Sequence, residues 1–305
     1  MTTRSPTARE DGTPLLTYRY LRMILVLPAA FLLLATVLEA GSRGWQFRES
    51  ISDSYQGPVR DVFVGALMAS GVCMIAYKGR AKLEDYALNF AGFNAFFVAL
   101  VPNNFTAVLD AAATTSITTG DVVTRAQLLT NLRFVLTSFL AIAAVFVFLD
   151  YRLFHSEALR WSPGESRLSG VLAVVSWVAQ IAFLVLVVGG VLVGRETLFG
   201  LSIFGLLHFT AAGLLIGNLS FAVASHALPD RARTPQQNAD WEPSSDAARR
   251  GYLVIMVAMW GGIVVGGICI ALEVPYAVIV TEYVEIGLFV AYWLVATRRD
   301  WRHPA

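Results

Sequence analysis

Glu282 and Glu285 stand three residues apart in an otherwise apolar run, and a helix would carry both carboxyls on one face. An ionisable side chain inside a membrane helix is costly, so each such residue is a functional hypothesis with a partner to be named. What a carboxyl pair offers at that depth is proton holding or hydrogen bonding. Counting down each apolar run at 1.5 Å per residue puts Glu285 and His208 both about 15 Å below the outer ends of their helices. His208 is therefore the expected partner of Glu285. Gln180 and Asn94 come out at similar depth, while Glu39, Asp61 and Glu273 lie nearer the outer surface. The expectation is a polar column. Asp61, Glu39 and Glu273 form its mouth, Glu282 lies beneath them, and Glu285, His208, Gln180 and Asn94 form its floor. A structural alternative stands beside it: Asn and Gln join membrane helices at roughly 1 kcal/mol each. A lone His on an apolar face is often a hydrogen-bonded structural residue. A buried carboxyl has no such ordinary packing role.

The second candidate is the stretch ESISDSYQGPVRDVFVG, Glu49 to Gly65, which runs from serines and aspartates straight into an apolar helix. Pro58 suits the first helical turn, where its missing N–H is no loss. Asp61 suits the positive end of the helix dipole, and the serines suit capping of backbone donors. An interfacial Arg60–Asp61 pair accounts for more of the polarity. Helix capping does not require Ser52, Asp53, Ser54 and Tyr55 together. Ser52, Ser54, Tyr55, Arg60 and Asp61 are therefore assigned to meet a ligand headgroup at the outer surface.

The elements that must position these residues are membrane helices. The 305 residues are 56% hydrophobic and 15% charged, with mean hydropathy +0.60. Soluble domains carry nearer a quarter charged residues. Eight apolar segments, near 20–40, 59–77, 86–102, 131–151, 169–193, 198–224, 251–272 and 275–297, approach or reach the roughly 20 residues that cross a hydrocarbon core. The fold class read from this is all-α, a polytopic transmembrane helix bundle of about eight spans. The organisation that follows is a polar tail over 1–17, a six-helix membrane region over 18–224 and a Pro-containing linker over 225–250. A terminal hairpin over 251–297 and a second tail over 298–305 complete it. The outer loop 103–130 is read as a short interfacial helix or lid.

Orientation follows from Lys and Arg, which are in excess in cytoplasmic loops. With the N-terminus inside, every inner segment holds at least three of them. The outer segments hold only Arg43, Arg48, Arg60, Arg125, Arg133 and Arg195. Both termini are therefore expected on the cytoplasmic side of a cell membrane. The first helix is read as uncleaved, because Leu38-Glu39-Ala40 is a poor signal-cleavage triplet. Cys73 and Cys269 differ in expected depth by about 15 Å, too far for a disulfide.

The motifs Ser50-Ile51-Ser52-Asp53-Ser54-Tyr55, Arg60-Asp61-Val62-Phe63-Val64-Gly65 and Ala76-Tyr77-Lys78-Gly79 resemble the signature of a group of uncharacterised bacterial multi-pass membrane proteins. That signature runs S-I-S-x-Y-Y, then R-D-x-F-V-G, then Y-x-G. Asn89-Phe90-Ala91-Gly92 and Val98 to Pro102 are similar to the next helix of that group. The pattern is also similar to the DRAM/Sfk-like membrane proteins, which carry an I-S motif before helix two. The resemblance covers Glu49 to Asn103 well and Glu285 to Trp293 more loosely. It implies a helical integral membrane protein without an established activity. The chain departs from the alkaline ceramidase and adiponectin-receptor-like superfamily, whose metal site uses three histidines. His155, His226 and His303 fall in loops or at helix ends, and only His208 is within the membrane.

No HExxH, Gly-rich phosphate loop, G-x-S-x-G elbow or haem-ligating pair is present, so neither metal nor cofactor is expected. Net charge of +1, with no basic, aromatic-interleaved patch, argues against nucleic acid. The functional expectation is a binding protein rather than an enzyme, taking a lipid or small amphiphile into an outward-facing polar cleft. The alternatives are a proton-coupled small-solute transporter using Glu285, and an intramembrane lipid hydrolase using Ser52 or Ser54 with Asp61 and His208. Expected partners are membrane lipids, a small-molecule ligand, and a second copy or another membrane subunit.

Overall fold

The computed structural model describes residues 12–79, 82–115, 124–153, 167–193, 196–198, 200–227 and 246–302. Most of the expected N-terminal tail and of the 225–250 linker lies outside them. The chain is a bundle of long helices with almost no sheet. In order these are α1 (Gly12–Ser42), a 3-10 segment (Ile51–Gln56), α2 (Arg60–Ala76), α3 (Lys82–Leu100) and the short α4 (Phe105–Thr115). Then come α5 (Arg125–Leu153) and α6 (Arg167–Val187), the latter ending in a π turn over Val188–Leu192. A two-stranded ribbon, β1 (Thr197–Leu198) and β2 (Leu201–Ser202), leads into α7 (Ile203–Ser225). The pair α8 (Asp246–Ala271) and α9 (Ala277–Arg302) closes the chain.

Seven of these helices are long and apolar enough to cross a membrane. The eighth expected span, α2, has 17 residues and measures about 25 Å against a hydrocarbon core of roughly 30 Å. Its shortness has a structural counterpart, because the 3-10 segment that precedes it folds across the end of the bundle. Helix α1 begins at Gly12, ahead of the expected start, so part of the predicted polar tail is helical. α3 ends at Leu100, just before Pro102, which cannot continue a hydrogen-bonded helix. The expected α8–α9 hairpin turns through Leu272–Tyr276, with Glu273 and Tyr276 at φ of 55° and 60°. The loop after α3 does contain a short helix, α4, as its small polar sequence suggested.

Two buried clusters build the core. One, at the end nearest the chain termini, joins Leu25, Met74, Tyr77, Leu88, Tyr252, Tyr292 and Trp293. The other joins Leu32, Ile51, Phe63, Phe97, Leu136, Phe183 and Leu207. α5 is peripheral and carries exposed Phe134, Ile142 and Phe148, the surface that a hydrocarbon solvent accepts without cost.

The end of the bundle nearest the chain termini is closed by polar side chains that the apolar cores would not tolerate unpaired. Arg22 donates from Nε to the Tyr77 hydroxyl at 3.0 Å and from Nη1 to the Ala296 carbonyl at 3.3 Å. His226 Nε2 lies 3.0 Å from Glu84 Oε1 and 3.0 Å from the Tyr292 hydroxyl, and its ring stacks on Tyr252. These contacts tie α1 to α2 and α9, and α3 to α7 and α9. Removing one member of such a buried set costs about 3–5 kcal/mol, because its partners are left desolvated.

Candidate functional site

The serine-rich stretch Glu49 to Gly57 is a plug at the end of the bundle opposite the termini. Ser50 caps the 3-10 segment and Asp53 returns the contact, accepting from the Ser50 backbone N–H at 3.1 Å. That reciprocal capping box satisfies donors that would otherwise be orphaned at the segment's start. The plug is docked on α9. Glu282 accepts from the Ser50 hydroxyl at 2.8 Å and from the Ile51 N–H at 2.6 Å, and the Ile279 N–H donates to the Glu49 carbonyl at 3.0 Å. Non-helical backbone packed against a helix bundle needs protein groups to satisfy it, and these contacts contribute to that. Asn104, after α3, adds a bond to Asp53 at 3.3 Å. Burial pushes the Asp53 carboxyl above its ordinary pKa, opposed by the Ser50 N–H.

Beneath the plug, where the two buried clusters meet, lies a cavity of about 140 Å³. Ile51 and Ser52 of the plug form one wall. α1, α2, α3, α7, α8 and α9 supply the rest, with Leu32, Phe63, Met74, Met259 and Phe289 among the apolar lining. Among the described residues its polar lining is Ser52, Ser70, His208, Glu282 and Glu285, with no Lys or Arg. The size matches that of a cavity which stays dry and accepts a single aromatic ring.

Glu285 is 5% exposed, and neither carboxyl oxygen has a hydrogen-bond partner among the described residues. Its carboxyl lies over α8 at Gly262, where an added Cβ would come within 2.0 Å of Oε1. His208 Nδ1 lies 2.7 Å from the Val101 carbonyl, which can only accept, so Nδ1 carries the hydrogen and Nε2 keeps the lone pair. That carbonyl is one of those left over where α3 ends, and His208 satisfies it from α7.

The expected polar column is divided into separate groups. Glu282, Glu285, His208 and Ser52 line one cavity, but His208 bonds the Val101 carbonyl and not Glu285, its expected partner. Asn94 and Gln180 do pair, Nδ2 to Oε1 at 2.7 Å, but they join α3 to α6 and do not line the cavity. Glu39 is occupied by Arg48, whose Nε donates at 2.9 Å, and this contact raises the Arg48 pKa further. Asp61 and Glu273 are exposed and stand outside the cavity, which corrects their assignment to its mouth. Arg60 is also exposed, with its guanidinium 4.8 Å from the centre of the Tyr55 ring. It stabilises the surface of the plug rather than lining the cavity. Ser54 is fully buried with its hydroxyl unpartnered, and it does not line this cavity.

The set Ser52 or Ser54, Asp61 and His208 is therefore not assembled as a nucleophile, base and orienting acid. Ser52 Oγ bonds Ser50 Oγ at 2.7 Å, His208 bonds a backbone carbonyl, and Asp61 is at the surface. Among the described residues no group of three His, Cys, Asp or Glu could hold a metal ion. Three site residues escaped the sequence reading. Ser50 was visible in the S-x-x-D spacing of a capping box. Arg48 and Ser70 carried no comparable signal.

Fold and site together define a multi-pass α-helical membrane protein with a cavity between the plug and the helices. Comparison of the chain with family models, curated proteins and solved structures found no match.

Proposed function

We propose that this integral membrane protein holds a small amphiphile in the cavity beneath the Glu49–Gly57 plug. The observation that carries the reading is the buried, unpartnered Glu285 carboxyl on the wall of an otherwise apolar cavity. An unsatisfied buried polar group costs about 1–3 kcal/mol, a cost that a ligand can offset by hydrogen bonding to it. The cavity is narrower and less polar than an outward-facing cleft would be. A compact molecule, or one end of a lipid, suits it better than a phosphate headgroup.

Mass spectrometry of molecules that co-purify with the gently extracted protein tests this. A defined molecule is expected with the wild type and is lost with Glu285→Gln. Bulk lipid in equal proportion in both samples would overturn the reading. Transport is the second reading, favoured by the same unpartnered carboxyl, which could exchange a proton for the ligand. It adds uptake that depends on a pH gradient and is abolished by Glu285→Gln.

The site is taken to face the outside of a cell membrane, with both termini cytoplasmic, because Lys and Arg concentrate in the segments on the terminal side. A reporter that is active only in the cytoplasm, fused after Ala305, is expected to be active. An inactive reporter on a stably inserted protein would reverse the orientation.

A further inference from the structure

The cavity has a charge deficit that narrows the class of its occupant. Its titratable residues are His208 from α7 and Glu282 and Glu285 from α9. The side chains lining it from α1, α2, α3, α8 and the plug are apolar or hydroxyl-bearing. Once Glu285 has given up its proton, the fixed hydrogen-bonding capacity is on the accepting side. Glu285 holds two buried oxygens without a partner among the described residues, and His208 has already spent its one hydrogen on Val101. Glu282 accepts from Ser50 and Ile51 but meets no cationic side chain on the cavity wall. Ser52 donates its hydrogen to Ser50 Oγ, because Ser50 gives its own to Glu282, so only the Ser70 hydroxyl can act in either sense.

Two carboxyls three residues apart on one face of α9, with no Lys or Arg among the described residues lining the cavity, are complementary to a positive charge. The apolar walls suit the rest of such a molecule. Phe63 and Phe289 bring aromatic rings, which attract cations, and Met74 and Met259 bring polarizable thioethers that adapt to irregular shapes. A phosphate or carboxylate ligand would meet two acids and no compensating donor of charge. An alcohol would satisfy one acceptor and leave the charge unanswered.

Resting on the cavity reading proposed above, we infer that the occupant is a compact lipophilic amine bound as its ammonium, about one aromatic ring in bulk. Its N–H groups face Glu285 and its apolar body lies between Phe63 and Phe289. His208 Nε2 is a second acceptor available to it. A protonated amine supplies both what the cavity lacks, a positive charge and several donors, in a volume that the cavity can hold.

The test uses the full-length protein in lipid nanodiscs at pH 7, titrated calorimetrically with benzylamine, benzyl alcohol and benzoate, with empty discs subtracted. The three probes share a ring and differ in charge. Benzylamine is expected to bind saturably, about tenfold or more tighter than benzyl alcohol, with benzoate not binding. Glu285→Gln is expected to remove most of the benzylamine advantage while leaving benzyl alcohol within about twofold. Benzyl alcohol binding as tightly as benzylamine, or benzylamine binding unchanged in Glu285→Gln, would overturn the cationic inference and leave the cavity standing. Failure of all three probes to bind would overturn the cavity reading and this inference together. The comparison among probes on the wild type decides the matter even where the variant does not fold.

Discussion

Glu282→Ala is expected to release the plug. In the protein as it stands, that carboxyl is the common acceptor for the Ser50 hydroxyl and the Ile51 backbone N–H, contributed by a segment 231 residues away in sequence. Truncation leaves the Ile51 N–H with nothing to receive it, at about 1–3 kcal/mol, and the Ser50 hydroxyl with only Ser52 Oγ, 2.7 Å away, to turn to. The remaining attachments, the Asp53 capping contact and the Ile279 N–H to the Glu49 carbonyl, do not replace either bond. A loss of about 3 kcal/mol raises the open fraction of a locally unfolding segment by roughly a hundredfold. The measurement is amide hydrogen exchange across Ser50 to Ser54, which should accelerate strongly while exchange in α7 is unchanged. Glu282→Gln keeps one acceptor oxygen and should show a smaller acceleration in the same direction. Uniform acceleration throughout the bundle would mean that Glu282 supports the whole fold and not the plug in particular.

The plug illustrates how far the sequence reaches. The position of the stretch before helix two was legible, because its polarity interrupts a run of apolar segments. Its S-x-x-D capping signal was legible too. Its docking partner was not, since nothing local to Ser50 or Ile51 points to a carboxyl on the last helix. The membrane helices themselves were legible because an apolar run of about 20 residues must cross hydrocarbon whatever its neighbours are. α2 fell below that length for a reason that only the tertiary structure supplies: the chain before it is folded over the bundle.

Depth and direction explain the fate of the polar residues. Counting residues along a helix fixes one coordinate, and on that coordinate Asn94, Gln180, His208 and Glu285 are expected to lie close. The direction in which each side chain points is set by helix packing, which the sequence leaves open. Asn94 and Gln180 therefore found each other between α3 and α6, while His208 and Glu285 turned toward the cavity. The glycines of α8 divide the same way. Of the paired glycines in α8, Gly262 lies against Glu285 and Gly266 against Thr281, whereas Gly261 and Gly267 meet nothing within 4 Å. Four residues separate the two that matter, the spacing that keeps a helix face in register with its neighbour.

A tight helix approach is built from two isolated glycines. It lies between Gly71 of α2 and Gly92 of α3, and Gly92→Leu is expected to be among the most damaging single substitutions in the bundle. A Cβ on Gly92 would lie 2.6 Å from the Gly71 carbonyl oxygen and 2.8 Å from Ile75 Cγ1. The contact is reciprocal, because a Cβ on Gly71 would lie 2.9 Å from the Gly92 carbonyl oxygen. Backbone is met on both sides, so no rotamer change can relieve the clash and the two helices must separate. Overpacking of this kind costs about 1–3 kcal/mol where side chains can adjust, and more where they cannot. Gly65 provides the contrast on the same helix α2. Nothing lies within 4 Å of a Cβ there, so Gly65→Ala should gain up to about 1 kcal/mol from helix propensity alone. Thermal unfolding in detergent, followed by circular dichroism, should therefore move in opposite directions for the two variants. The result bears on the site as well as on stability. α2 brings Phe63, Ser70 and Met74 to the cavity, and α3 brings Ala95 and Val98. If Gly92→Leu unfolded like the wild type, α2 and α3 would not be in backbone contact, and the cavity that depends on their spacing would lose two of its walls.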